Sequence, residues 1–343
     1  MIGRQLKLAA WRALRGAGCF GLVNRSDWRR QRLLVLCYHG IALDRERDWR
    51  PGLFMSATYF RRRLEVLRDS KMPVLALDEA VAKLQAGELR EPTVALTFDD
   101  GFCDFHRIVA PLLTEFNFPA TVYLTTYYVK YPRPIFNLVV PYMLWLSRDS
   151  GATLGEDVGL GVSLPASRWQ DAANAIISYA KVAALSARAK DDVARMTARS
   201  LNLDYERLVR SRVLTLMTPE EVGHIGRNPL IDIELHTHRH RTPNEEGSFR
   251  REIRDNRDYI SELTGKTRFR HFCYPSGVCK PEFLPWLRAE GIDIATTCHP
   301  ALATQESDPL LLPRKIDTTG LSDIEFEAWL TGFEPLVRAI LRR

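Results

Sequence analysis

The stretch Val94-Ala-Leu-Thr-Phe-Asp-Asp-Gly101 narrows the architectures open to this chain. Five residues of strand character, Val94 to Phe98, run into two carboxylates and a glycine. An apolar run ended by a turn signal reads as a strand buried on both faces, as in a parallel sheet covered by helices. Asp99 and Asp100 then leave its carboxyl end, where barrels and open α/β sheets place their chemistry. Successive side chains leaving a strand point in different directions, so one carboxylate can bind a metal while the other faces a substrate. Asp-Asp-Gly is also an ordinary turn, and this stretch alone does not separate the two readings.

The rest of the chain repeats the pattern. Leu33–Cys37 is a second buried run, ending on Tyr38-His39-Gly40. Ala57–Leu67 has helical spacing, Val74–Leu77 is a short strand, and Leu77–Leu84 is a helix capped by Asp78. A helix through Ile108 to Phe116 leads to a strand at Ala120–Thr125. From about 131 to 212 strand character is scarce, and the Ala-rich, charged stretches there predict a helical insertion, a lid or a dimer surface. Thr218, Pro219 and Glu221 form a capping box. Ile231–Leu235 is a strand ending on His236-Thr-His-Arg-His240, Arg268–Cys273 one ending on Tyr274, and Ile292–Thr296 the next. Glu325–Leu341 is an amphipathic helix. Strands alternating with helices of this length imply βα units and parallel pairing. Four strand ends carrying chemistry-bearing groups would meet on one rim of a parallel barrel.

Charge is unevenly distributed. Residues 1–32 hold eight bases against one acid, an excess of +7 that leaves −1 for the remainder of a chain whose net charge is +6. A nearly neutral body argues against nucleic acid as a partner. Arg12 and Arg15 interrupt any apolar core of a signal peptide. Ile2, Leu6, Ala9 and Ala13 share one helical face with Arg4, Lys7, Arg12 and Arg15 opposite, and this predicts either a basic helix packed on the domain or an interfacial helix on an anionic membrane surface. None of the six cysteines has C-x-x-C spacing, and several lie in apolar strand-like stretches where a free thiol behaves as a small hydrophobe. The expected location is cytoplasmic, peripheral to the inner face of the membrane.

His236 and His240 have the i, i+4 spacing of a metal-binding pair. A preceding strand, a following Pro243 and the lack of a Glu after His236 place them in a loop rather than on a zincin helix. Two imidazoles and one carboxylate form a facial set that leaves positions open for water and substrate, suited to zinc or another divalent transition metal. His238, between them, faces elsewhere, and Thr237 could bond a ligand carboxylate. His106, His224, His271 and His299 read as structural or surface residues.

Together, Thr97-Phe-Asp-Asp-Gly101, His236-Thr-x-x-His240 and Phe272-Cys-Tyr-Pro-Ser-Gly277 resemble the motifs of the polysaccharide deacetylase family, the NodB-homology enzymes of carbohydrate esterase family 4. Tyr38-His39 and Leu312-Pro-Arg314 fit one branch of it. The resemblance covers about 33–128 and 216–333. It implies an α/β fold, a distorted (β/α)7 TIM-like barrel, formed by 33–130 and 213–333. Around it lie the basic N-terminal segment 1–32, the insertion 131–212 and a C-terminal helix end at 334–343. The implied reaction is metal-assisted hydrolysis of the acetamido group of an N-acetylated amino sugar, in a glycan, lipid-linked or nucleotide-linked substrate of cell-surface polysaccharide or glycolipid biosynthesis. By the same resemblance Asp100, His236 and His240 hold the metal, Zn2+ first among the choices. Asp99 is the general base, and the backbone N–H of Tyr274 is the oxyanion donor.

The chain departs from the common family pattern in two places. It has no late Leu-x-His to supply a general acid, and Phe272-Cys273 stands where an arginine is usual. In the branch with Tyr-His near the N-terminus the motifs appear in permuted order, which predicts His39 as the acid and Arg314 as the support of Asp99. Two other readings are hydrolysis of a different non-peptide C–N bond on the same centre, and a catalytically silent carbohydrate-binding protein.

Overall fold

The computed structural model describes residues 2–154 and 164–341. The part of the expected insertion at 155–163, and the last two residues of the expected C-terminal segment, lie outside these.

Seven strands form one parallel sheet: β1 (Leu33–Tyr38), β2 (Thr93–Asp100), β3 (Ala120–Leu124), β4 (Ile231–Leu235), β5 (His271–Cys273), β6 (Ile294–Thr296) and β7 (Lys315–Ile316). Their spatial order is β6-β5-β4-β3-β2-β1-β7, so the sheet winds in chain order and the last strand returns beside the first. A parallel bridge between Thr296 and Leu312, three residues before β7, draws the two edges together. The Leu312 N–H donates to Ala295 O (2.9 Å) and the Thr297 N–H to Leu312 O (2.9 Å). This is the curled, distorted βα barrel that the family resemblance implies, built from the parallel βα units expected from the strand–helix alternation.

The apolar runs work as two-sided strands. Leu34, Leu36, Val94, Leu96 and Phe98 are buried among the surrounding helices. Leu33, Val35 and Ala95 belong to a second core with Tyr123, Cys273, Ile294 and Leu312, plugged by Leu77, Val81 and Leu84. With a period of two, Thr97 and Asp99 continue the Ala95 side. That alternation brings a charged side chain into a packed interior.

Several local expectations shift. The helix Leu77–Gln85 has Ala76 at its N-cap, and Asp78 lies inside the first turn without capping it. Val74 makes a single bridge to Val94 rather than a strand. The capping box of Thr218 and Glu221 is present. The C-terminal helix is two helices, Asp323–Leu330 and Phe333–Leu341, and the 131–212 stretch holds helices at Phe136–Leu146, Trp169–Val182, Ala187–Ser200 and Tyr205–Ser211.

The N-terminal helix Ile2–Gly16 packs on the barrel through Trp11 and Leu8, against Phe333, Ile324 and Ala328. Three of its bases reach glutamates of the C-terminal helices: Arg4 pairs with Glu325 (3.0 Å), Lys7 with Glu334 (3.6 Å) and Arg15 with Glu327 (2.8 Å). The expected apolar stripe lies outside, with Leu6 66% exposed and Ala9 and Ala13 also exposed. These pairs tie the helix to the C-terminal helices, while Arg4 and Arg15 stay more than half exposed. No helix of the described residues is long and apolar enough to cross a membrane. All six cysteines are free.

Candidate active site

Parallel register aligns the carboxyl ends of the strands. Tyr38 is opposite Phe98, so His39 leaves β1 level with Asp99; Asp100 is opposite Leu124. Leu235 is opposite Phe272, and Cys273 opposite Thr296. His39, Asp99, Asp100, His236 and Tyr274 thus reach one rim from four strands. They line a single cavity of about 390 Å3.

Asp99 is buried and held from below. The Arg314 Nη1 donates to its Oδ1 (2.7 Å) and Nη2 to its Oδ2 (2.8 Å). Arg314 is itself fully buried and fixed by bonds to Thr97 Oγ1 (3.0 Å) and the Thr297 carbonyl (3.0 Å). Burial alone would raise the Asp99 carboxyl. The Arg314 guanidinium outweighs it, with lesser help from His39 and His236, and holds Asp99 well below the usual carboxylate range. The Arg314 Nη2 also lies 3.1 Å from Cys273 Sγ. A small side chain at 273 thus leaves room for a guanidinium arriving from the far end of the chain.

Asp100 faces a different set of partners. Its φ of 71° turns the chain out of the strand, and Gly101 continues the turn at 83°. A Cβ on Gly101 would stand 2.2 Å from Leu124 Cδ1, so only glycine fits this bend. Asp100 Oδ1 then lies 3.4 Å from His236 Nε2 and 3.3 Å from His240 Nε2. Burial would raise this carboxyl, but His240 and His236 hold it at about 2.

The trio fits a divalent metal. One donor atom from each of Asp100, His236 and His240 lies within 4.8 Å of the other two. Ligands about 2.0–2.1 Å from a tetrahedral ion stand roughly 3.3 Å apart, close to the separations found here. His236 Nδ1 is 2.9 Å from the Cys273 carbonyl, which accepts its proton and leaves Nε2 as the lone-pair donor. The Asn256 side chain accepts from the His236 N–H (2.9 Å) and donates to Leu124 O (3.0 Å), tying β4 to the end of β3. His238 turns away, its Nδ1 2.8 Å from Thr126 Oγ1. Thr237 does not reach a ligand carboxylate; its hydroxyl accepts from the Arg241 N–H (3.1 Å) and closes the loop that presents His240. Both Thr237 (64°) and His240 (49°) adopt positive φ, a local strain typical of functional loops.

His39 approaches from the other side, its Nε2 3.8 Å from Asp99 Oδ2. Asp104 Oδ2 accepts from the Ile41 N–H (2.7 Å), which anchors the segment just after His39 to the Asp-Asp-Gly turn. Tyr274 lines the cavity, but its backbone N–H donates to the Thr296 carbonyl (3.3 Å) in the sheet ladder, and its hydroxyl to Leu310 O (3.0 Å). Pro275 has no N–H. The Ser276 N–H is the next along the chain; it has no hydrogen-bond partner among the described residues, and Ser276, at φ 56°, lines the cavity. A signal for this was available, since a residue ending a paired strand donates to the ladder and the first free N–H lies past the proline. None of His106, His224, His271 and His299 lines the cavity.

The stretch after residue 130, which showed no chemistry in the sequence, supplies part of the wall through Ile135, Asn137 and Leu138.

A parallel barrel with an arginine-clamped carboxylate beside a His-His-Asp trio defines a hydrolase built around a polar, metal-competent rim. The polysaccharide deacetylase family model matches residues 86–157 and 164–295, more than half of the chain, and the protein belongs to that family. It is accordingly a hydrolase of the class that cleaves the amide of N-acetylated sugars. No curated protein matches it at the sequence level. Among solved structures it is similar to the Streptococcus pyogenes deacetylase PplD in complex with acetate (TM-score 0.57, 16% identity, 86% of this chain and 96% of that one). It is similar too to IcaB from Ammonifex degensii (0.54, 18%, 88% and 97%). A third is the BpsB deacetylase domain from Bordetella bronchiseptica (0.50, 16%, 83% and 96%). At these identities the likeness is one of fold.

Proposed function

We propose that the protein is a metal-dependent N-deacetylase of an N-acetylated amino sugar carried on a glycan or a glycan precursor, acting in cell-surface polysaccharide or glycolipid biosynthesis. The observation that supports this best is the pairing, in one cavity, of the Asp100–His236–His240 trio with a separate, ionised Asp99. Zn2+ suits two imidazoles and one carboxylate, and a divalent ion bound there supplies Lewis acidity to the amide carbonyl and acidity to a nearby water.

The chain's own residues account for the protons. Asp99, kept ionised by Arg314, accepts the proton of the attacking water. His39 donates a ring proton to the departing amine nitrogen while the C–N bond breaks and acetic acid forms, which then gives up its proton to solvent as acetate. The proton gained by Asp99 then returns to His39, whose Nε2 stands 3.8 Å from Asp99 Oδ2, through one intervening water. For the developing oxyanion we assign the Ser276 N–H rather than that of Tyr274, since Tyr274 is engaged by Thr296 and Ser276 is not. The cavity walls set by Tyr127, Leu53 and Leu138 offer apolar surface to a sugar ring.

Three substrate pools test the reading: nucleotide sugars, lipid-linked glycans and polymer, each given to zinc-loaded protein with acetate as the readout. Acetate from one pool supports the proposal and identifies the substrate class. Acetate from none, with the metal demonstrably bound, contradicts it in favour of another C–N bond.

A further inference from the structure

Two arginines line the catalytic cavity, and they differ in their partners. Arg239 is ion-paired, with Glu252 at 3.2 Å and Asp255 at 3.5 Å. Arg50 has no ion pair and no side-chain hydrogen bond among the described residues. What it has is an aromatic support: its guanidinium carbon lies 4.5 Å from the ring centroid of Trp49. Trp49 is buried and packs against Tyr142, ring centroids 5.4 Å apart. The short helix that ends at Arg50, Glu46–Trp49, is fixed by Glu46, which accepts from the N–H groups of Leu43 (3.3 Å) and Asp44 (2.6 Å). Arg50 is therefore a cation on a rigid platform at the cavity wall. The two carboxylates nearest the chemistry do not neutralise it, since Asp99 belongs to Arg314 and Asp100 to the metal trio.

A guanidinium positioned this way, with its donors free, suits a planar or tetrahedral oxyanion, which it can bind through two parallel N–H bonds. Resting on the reading that the cavity takes an N-acetylated sugar, we propose that Arg50 forms an anion subsite: it receives a phosphate or carboxylate borne by the glycan next to the sugar being deacetylated. The natural substrate is then an anionic glycan, either phosphate-linked or uronate-containing, and not a neutral homopolymer.

The test is calorimetric binding to zinc-loaded protein of three ligands: N-acetylglucosamine 1-phosphate, a glucuronate-linked N-acetylglucosamine disaccharide, and neutral N,N'-diacetylchitobiose. Wild type, Arg50→Gln and Arg50→Lys are compared. At least one anionic ligand should bind about tenfold tighter than the neutral one, and the arm that does so separates phosphate from carboxylate. Arg50→Gln should reduce that preference to within about twofold, and Arg50→Lys should keep part of it, because a point charge remains without the fork. An anionic preference that is absent, or that survives Arg50→Gln, overturns the proposal. If none of the three binds, the sugar-site reading itself falls and this proposal with it, an outcome marked by failure of the neutral ligand too.

Discussion

Asp99 and Arg314, at opposite ends of the barrel's sequence, meet in a two-point pair of 2.7 and 2.8 Å that is sealed from solvent. One partner leaves β2 and the other precedes β7, and the return of β7 beside β1 brings them together. The pair keeps Asp99 ionised, in one orientation, beside the Asp100–His236–His240 trio.

Removing Arg314 should therefore change acidity as well as stability. In Arg314→Gln the Asp99 carboxyl loses the cation that offsets its burial, so the acid limb of the pH–rate profile should move up. Breaking such a buried pair should also cost about 3–5 kcal/mol of stability. Arg314→Lys should fall between, keeping charge but not the fork. An acid limb unchanged in both variants would contradict the assigned role.

The two carboxylates should separate cleanly in metal binding. His240→Ala or Asp100→Asn should remove stoichiometric zinc, with a loss beyond the roughly 10–100-fold typical of groups that only support a ligand. Asp99→Asn should keep the metal. Elemental analysis after dialysis against a weak chelator reads the difference.

Much of this was legible in the sequence, for an identifiable reason. A buried strand announces its own end, and Asp99, Asp100, His236 and His39 stand at such ends, so parallel register alone converts their positions into a site. Arg314 was reachable only through the resemblance, because its partner is 215 residues away. Other features depended on contacts that no local pattern encodes. The engagement of the Tyr274 N–H requires knowing that β6 lies alongside. The pairing of Arg4, Lys7 and Arg15 depends on glutamates some three hundred residues later.

If the Ser276 N–H is the oxyanion donor, replacing that amide by an ester should lower kcat about 10²–10³-fold with little change in folding. The same replacement at Tyr274 should weaken the β5–β6 ladder and leave the kcat of the folded fraction near normal. The reverse pattern would return the role to Tyr274.

Asp104 offers a pH test away from the metal trio. Burial, more than its bond from the Ile41 N–H can offset, raises its carboxyl to about 8. An unfolded Asp titrates near about 3.9, so between those values the native state holds a proton that the unfolded chain has lost. The stability due to this group is thus complete below about 3.9 and lost as pH rises through about 8. Asp104→Asn should flatten this slope and raise Tm at pH 8.5 by at least about 2 °C. Parallel Tm–pH curves for the two proteins would refute it.

Gly101→Ala tests the bend that separates the carboxylates. The added methyl group meets Leu124 in a left-handed backbone, and the combined strain should cost roughly 2–5 kcal/mol in urea unfolding. A change below about 0.5 kcal/mol would show that the turn is not constrained as described.

The most direct test of the account compares acetate release by zinc-loaded wild type and Asp99→Asn on an N-acetylated glycan, with bound metal measured in both. The account predicts full metal occupancy in each, acetate and free amine in equal amounts from the wild type, and a loss of about 10²–10⁴-fold in the variant. Equal turnover by the two proteins, or no acetate from a fully metallated wild type, would contradict it.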